Sequence, residues 1–193
     1  MATLRLVPPS ARYKDSYRAL VAEFVAGGEP LVPFTLAFPH ENFEALLADL
    51  AGAERGIGVP IGFVPHSTFW LVRGEEIVGV SNLRHRLNDK LLVEGGHIGY
   101  GVRPGARGQG LGREILRLTL AEAARRGIAR VLLTCSKDNP ASSAVIAANG
   151  GQLESEAWVE ARGKIVQRWW IEVPRSRAPE GNSYGAALTP RNV

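Results

Sequence analysis

Cysteine occurs once in the 193 residues, at Cys135. One thiol excludes an intrachain disulfide framework and a multi-cysteine metal site, so no metal is expected, and it fits a reducing compartment. At the end of an apolar run, Cys135 reads as a small core residue and not as a nucleophile. No hydrophobic run approaches the length of a membrane span. The first residues reach Pro8 before a signal-type apolar region could form, so the expectation is a cytoplasmic protein without a membrane partner. Lysine and arginine total 23 against 19 acidic residues, a net charge of +4, but they form no dense basic block. Nucleic acid is therefore not expected as a partner, whereas the mild positive excess suits a polyphosphate ligand. No internal repeat is evident.

What is present is ordinary globular composition, 45% hydrophobic and 22% charged, enough for one compact α/β domain. That domain is expected over residues 1–173, with 174–193 a flexible tail, because Pro174 onward shows no periodicity. Leu4–Pro8 reads as a strand. Ser10 can cap a helix from about Ala11 to Ala26, where Tyr13, Tyr17, Leu20, Val21 and Phe24 recur at helical spacing. Leu31–Pro39 and Gly56–Pro65 read as loops on either side of a second helix, which starts at His40 or Asn42 and ends near Glu54. Phe69–Arg73 and Ile77–Ser81 flank a short turn as a hairpin, the second strand continuing through Leu87, and Asn88-Asp89 turns the chain into Leu91–Glu94. Gln152–Val159 and Ile165–Val173 form a closing hairpin.

The chain is organised around His97–Gly112, HIGYGVRPGARGQGLG. His97–Val102 has the length and composition of a strand, Pro104-Gly105 stops it, and a glycine-rich hexad runs into the helix former-rich segment Arg113–Arg126. A strand, a glycine loop and a helix N-terminus together make an anion site, because free N–H groups and the helix dipole point at one place. The ligand implied is a phosphorylated cofactor. A dinucleotide fingerprint fails because its third glycine would fall at Arg113 and no βαβ unit precedes it. A P-loop would need GxxxxGK[ST], which is absent.

Arg107, Gly110 and Gly112 instead spell Arg-x-x-Gly-x-Gly, which resembles the acetyl-CoA pyrophosphate loop of the GNAT superfamily of N-acetyltransferases. The resemblance continues through the apolar strand Ala129–Cys135, the Asn139-initiated helix Ala141–Asn149 and Gly150-Gly151. It implies an α/β (α+β) GNAT fold, a mixed, mostly antiparallel sheet of about six to seven strands with helices on both faces, splayed at the cofactor strand. It also implies acetyl-CoA as cosubstrate and an amine as acceptor. Arg107, Gly108, Gln109, Gly110, Leu111 and Gly112 would hold the pyrophosphate, backbone groups of Tyr100 and Val102 the pantetheine arm, Gly101 would permit close approach, and Asn139 and Ser142 would contact the cofactor. Gly99 and Gly101 equally fit crowding by a neighbouring element. The two loops between the first and second strands would shape the acceptor pocket.

For the general base, His97 leads, since imidazole titrates near neutrality, with Glu94 second and His85 third. The tyrosine acid common in the family is replaced by Ile146, which leaves Ser142, Ser143, Tyr100 or solvent to protonate the leaving thiolate. Arg84, His85, Arg86 and Asn88 read either as a solvated hairpin tip or as a contact for an anionic or polar acceptor. Trp158, Trp169 and Trp170 read as core or as the interface of a homodimer. Direct acetyl transfer to an amine of a small molecule or a peptide is the function expected, with a catalytically weak CoA-binding or sensing module as the alternative.

Overall fold

The computed structural model describes residues 3–174 of the chain; the tail expected from Pro174 lies, apart from that residue, outside the described residues. Strand β1 (Leu4–Val7) is followed by a 3-10 turn, Ala11–Tyr13, capped by Ser10, and by helix α1 (Lys14–Ala26). Helix α2 (Phe43–Glu54) begins where the Asn42 side chain accepts from the Ala45 N–H. Strands β2 (His66–Arg73) and β3 (Glu76–Arg84) make the expected hairpin. Both faces of β2 are covered, so the strand is buried from His66 to Val72 and its apolar run Phe69-Trp70-Leu71-Val72 does not alternate. Trp70 and Val72 pack with Tyr13, Tyr17 and Phe43 from the helical layer of α1 and α2, while Phe69 and Leu71 belong to clusters on the opposite face.

The stretch after β3 differs from the sequence reading. β3 ends at Arg84, not Leu87, and the following segment forms a short helix, α3 (Asp89–Val93), because Asn88 Oδ1 caps the Leu91 N–H at 3.0 Å. Strand β4 (Ile98–Val102) completes an antiparallel sheet ordered β1-β2-β3-β4. After a 3-10 turn at Pro104–Ala106 comes helix α4 (Leu111–Arg125), which buries Leu111, Ile115, Leu116, Thr119 and Ala123. Strand β5 (Arg130–Ser136), helix α5 (Pro140–Ala147) and strands β6 (Gln152–Val159) and β7 (Lys164–Glu172) follow, the strands forming a second sheet in the order β5-β7-β6. Of the tryptophans, Trp169 packs on the core, Trp170 lies under the Arg130 guanidinium, and Trp158 is outside the core, 61% exposed.

The expected splay is a break between these sheets. No ladder joins β4 to β5; the contact is made just before β4 begins. There the His97 N–H donates to the Leu132 C=O at 2.7 Å, and the Leu132 N–H donates to His97 Nδ1 at 2.9 Å. The imidazole does the work of a strand carbonyl. A nitrogen that accepts must be unprotonated, so the ring is neutral with its proton on Nε2. Burial, reinforced by the charge of Arg84, holds the His97 pKa down at about 4. The neighbouring Gly96 has no room for a side chain, since a Cβ would meet the Leu132 carbonyl at 2.4 Å. Beyond this point the two strands separate.

Replacing His97 by alanine leaves the buried Leu132 N–H without a partner, and chemical denaturation should show a loss of about 1–3 kcal/mol. The folded state resists protonating His97, while the unfolded chain does not. Its stabilisation is therefore complete above pH 6.5 and lost as pH falls towards about 4. The His97→Ala variant should show a shallower decline of stability across that window than wild type.

Candidate active site

Alternation along β4 decides what faces the gap. Arg84 N–H donates to the His97 carbonyl and Arg103 N–H to the Val78 carbonyl. Counting by two, the amides of Gly99 and Gly101 therefore face β3, and those of Tyr100 and Val102 face the open side. The side chains divide as well. Ile98, Tyr100 and Val102 join the clusters under α4. Gly99 and Gly101 present a bare face on which the segment Leu31–Pro33 lies, so close that a Cβ on Gly101 would meet the Val32 carbonyl at 2.0 Å. Gly101 thus admits a neighbouring stretch of this chain, the crowding that the sequence reading held as its alternative.

At one end of the gap lies a cavity of about 560 Å³, lined by Tyr100, Gly101, Val102, Arg107, Gly108 and Gly110 on one side and by Asn139 and Ser142 on the other. Gly110 is the N-cap of α4, with φ +74 and no side chain to cap the helix. The N–H groups of Leu111, Gly112 and Arg113 find no acceptor among the described residues. Four orphan donors are normal at a helix start, but an uncapped glycine at a cavity mouth leaves them for an anion. A Cβ on Gly112 would press on Val145 at 3.1 Å, so this glycine also sets how closely α4 packs on α5. The loop is held from behind: Arg103 pairs with Glu23 and Glu76, and Glu23 also accepts from the Gly105 N–H at 3.2 Å.

Two loop side chains are engaged elsewhere. Arg107 pairs bidentately with Glu29, at 2.8 and 2.7 Å, and its Nε donates to the Val102 carbonyl at 3.3 Å. The hydrogen bonds from Arg107 lower the pKa of Glu29. Gln109 accepts from Arg73 at 2.7 Å and does not line the cavity. Leu111 is buried beneath the loop. Arg113, which the sequence offers only as the start of the helical segment and as the place where a dinucleotide fingerprint fails, lines the cavity with no ion pair among the described residues. Glu29 had no local signal, since it reaches Arg107 only through the placement of α1.

Across the gap, Asn139 caps α5 through the Ser142 N–H, and the Ser142 hydroxyl meets the Tyr100 hydroxyl at 3.2 Å. Burial raises the Tyr100 pKa to about 12, so the phenol stays protonated and can donate. Tyr100, Asn139 and Ser142 also line a second cavity, of about 710 Å³, which runs between β4 and β5 past Cys135 and Ile146. Cys135 is buried, as its sequence position suggested. Glu94 faces this cavity and pairs with Arg162 at 2.8 Å. A third cavity, of about 210 Å³, continues from Glu94 and Arg84 to Phe34, Phe63 and His66. The loops 31–39 and 56–65 meet there, the rings of Phe34 and Phe63 standing 5.6 Å apart.

The histidines lie differently. His97 lines none of the three cavities, its ring nitrogen being taken up by the bridge. His85 also lies outside them: its Nε2 is 2.8 Å from Ser67 Oγ, whose own proton goes to Glu54 at 2.9 Å. Ser67 is thus bonded to an acid directly, and His85 is left to donate, an arrangement that does not activate a nucleophile. His66 does face the third cavity, but Nδ1 accepts from Asn82 at 2.8 Å and burial, with the charge of Arg84, holds its pKa down at about 4.

The model of the acetyltransferase (GNAT) domain matches residues 5–152. A mycothiol acetyltransferase of Streptomyces bingchenggensis is 34% identical over 118 residues, covering 59% of this chain and 35% of that protein, so the match spans about a third of the curated relative. Among solved structures, the Salmonella typhimurium acetyltransferase that modifies the N-terminal serine of 50S ribosomal subunit protein L7/L12 aligns at 20% identity and TM-score 0.66, over 90% of this chain and 97% of that one. Salmonella typhimurium yncA, solved with its cofactor acetyl-CoA, aligns at 14% identity and TM-score 0.58, over 92% and 98% of the two chains. With three quarters of its length inside the family match and the same fold of sheet and helices as these structures, the chain belongs to the GNAT acetyltransferase family.

Proposed function

We propose that this protein transfers the acetyl group of acetyl-CoA directly to an amine. The observation that carries this reading is the continuity of the three cavities, from the uncapped N-terminus of α4, through the gap between β4 and β5, to a separate chamber bounded by the two loops. The donors present fit the cosubstrate. N–H groups of Leu111 to Arg113, with the Arg113 side chain, would hold the pyrophosphate, and the outward amides of Tyr100 and Val102 would pair with the pantetheine arm as a strand would.

Glu94, not His97, is the group we assign as base. It faces the gap where the thioester would lie, whereas His97 is closed off by its bond to Leu132. Its partner Arg162 is 59% exposed, and an ion pair with one member in water is worth little, so an incoming ammonium can displace it. Glu94 then takes the ammonium proton onto a carboxylate oxygen and leaves the amine able to attack. Tyr100 Oη, held against Ser142, donates to the departing sulfur, which supplies a function for which Ile146 has no group.

Calorimetric titration tests the reading. Wild type should bind acetyl-CoA and not NADH, and Gly110→Asp, which places a carboxylate against the phosphates, should weaken binding by at least about tenfold; a folded wild type that binds no acetyl-CoA refutes it. Glu29→Gln releases Arg107 towards the cavity and should tighten binding several-fold, an effect that shrinks as salt is raised. In CoA-release assays Glu94→Gln and Tyr100→Phe should each lower kcat on the order of 10²-fold while leaving acetyl-CoA affinity near wild type.

A further inference from the structure

The third cavity is built for more than an amine. Among its lining residues are three cations, Arg84, Lys90 and Arg162, and one carboxylate, Glu94. Arg162 is paired with Glu94, whereas Arg84 and Lys90 have no carboxylate partner among the described residues. Arg84 is largely buried, stacks over the Phe34 ring at 5.3 Å, and spends one nitrogen, Nη1, on the carbonyls of Gly95 and Gly96 at 3.0 and 3.1 Å. Its other guanidinium N–H groups find no acceptor among the described residues. A buried cation without a counter-ion is costly, and burial is the main reason that the Arg84 pKa falls to about 10. A purely cationic acceptor would meet net positive charge here.

We propose that the acceptor is a small amine that also carries a carboxylate, an amino acid with an apolar or aromatic side chain. Its carboxylate accepts from Arg84 and Lys90, its ammonium meets Glu94 at the boundary with the acetyl site, and its side chain lies against Phe34 and Phe63. The cavity has one group for each of the three parts. Planar, bidentate recognition of a carboxylate is what a free guanidinium edge offers. This inference rests on the acetyl-transfer reading for its reaction, and on the cavity alone for its ligand.

The test uses the full chain saturated with CoA, titrated calorimetrically with L-phenylalanine, L-phenylalaninamide and a phenylalanine-initiated dipeptide amide. Phenylalanine should bind roughly tenfold or more tighter than its amide, the worth of a hydrogen bond to a charged group. Lys90→Ala, an exposed change, and Arg84→Gln should each erode that preference while acetyl-CoA affinity stays near wild type. Equal or tighter binding of the amide or the dipeptide amide, or no binding of phenylalanine to the CoA-saturated protein, overturns the proposal and leaves the transferase reading standing. Failure of acetyl-CoA itself to bind overturns both.

Discussion

Two hydrogen bonds, His97 N–H to Leu132 C=O and Leu132 N–H to His97 Nδ1, fasten one end of β4 to β5, and the functional groove opens where that fastening stops. The second of them puts a side chain where a strand would put a carbonyl. A backbone acceptor at that place would invite the ladder to continue, and a continued ladder would close the gap. A side-chain acceptor ends the pairing after one residue while still satisfying the buried N–H of Leu132. The ring that looked most like a base is thereby committed to architecture, and its burial keeps it neutral for that task.

Charge is distributed along the groove by sign. The N-terminus of α4 and Arg113 make one end positive, and Glu29 tempers it by holding Arg107. In the middle, Tyr100 supplies a neutral donor beside Ser142. At the far end a single carboxylate, Glu94, stands among cations. The chain contributes these groups from separate elements, so the two sheets and the loops 31–39 and 56–65 must all be in place before the chamber exists.

The fold was legible because its signals are local. Helix starts at Asn42 and Asn139 are side-chain caps acting over three residues, and the buried strands announce themselves as apolar runs between glycines and prolines. The glycine loop was legible for the same reason, since loop, uncapped start and helix are contiguous. The difference after β3 has a local cause too: Asn88-Asp89 fits a turn equally well, but the carboxamide oxygen of Asn88 starts a short helix.

The sequence by itself determined most of the elements, the glycine loop that opens α4 and the family, because each depends on residues within a few positions of one another. Tertiary structure alone decided what the polar groups around the groove do. His97 became a bridge because Leu132, 35 positions away, needed an acceptor. Arg107 became a partner of Glu29, 78 positions away, and Arg84 came to face the chamber because β3 stops there. A side chain's role follows from which unsatisfied group the packing brings within about 3 Å of it, and no spacing along the chain encodes that distance.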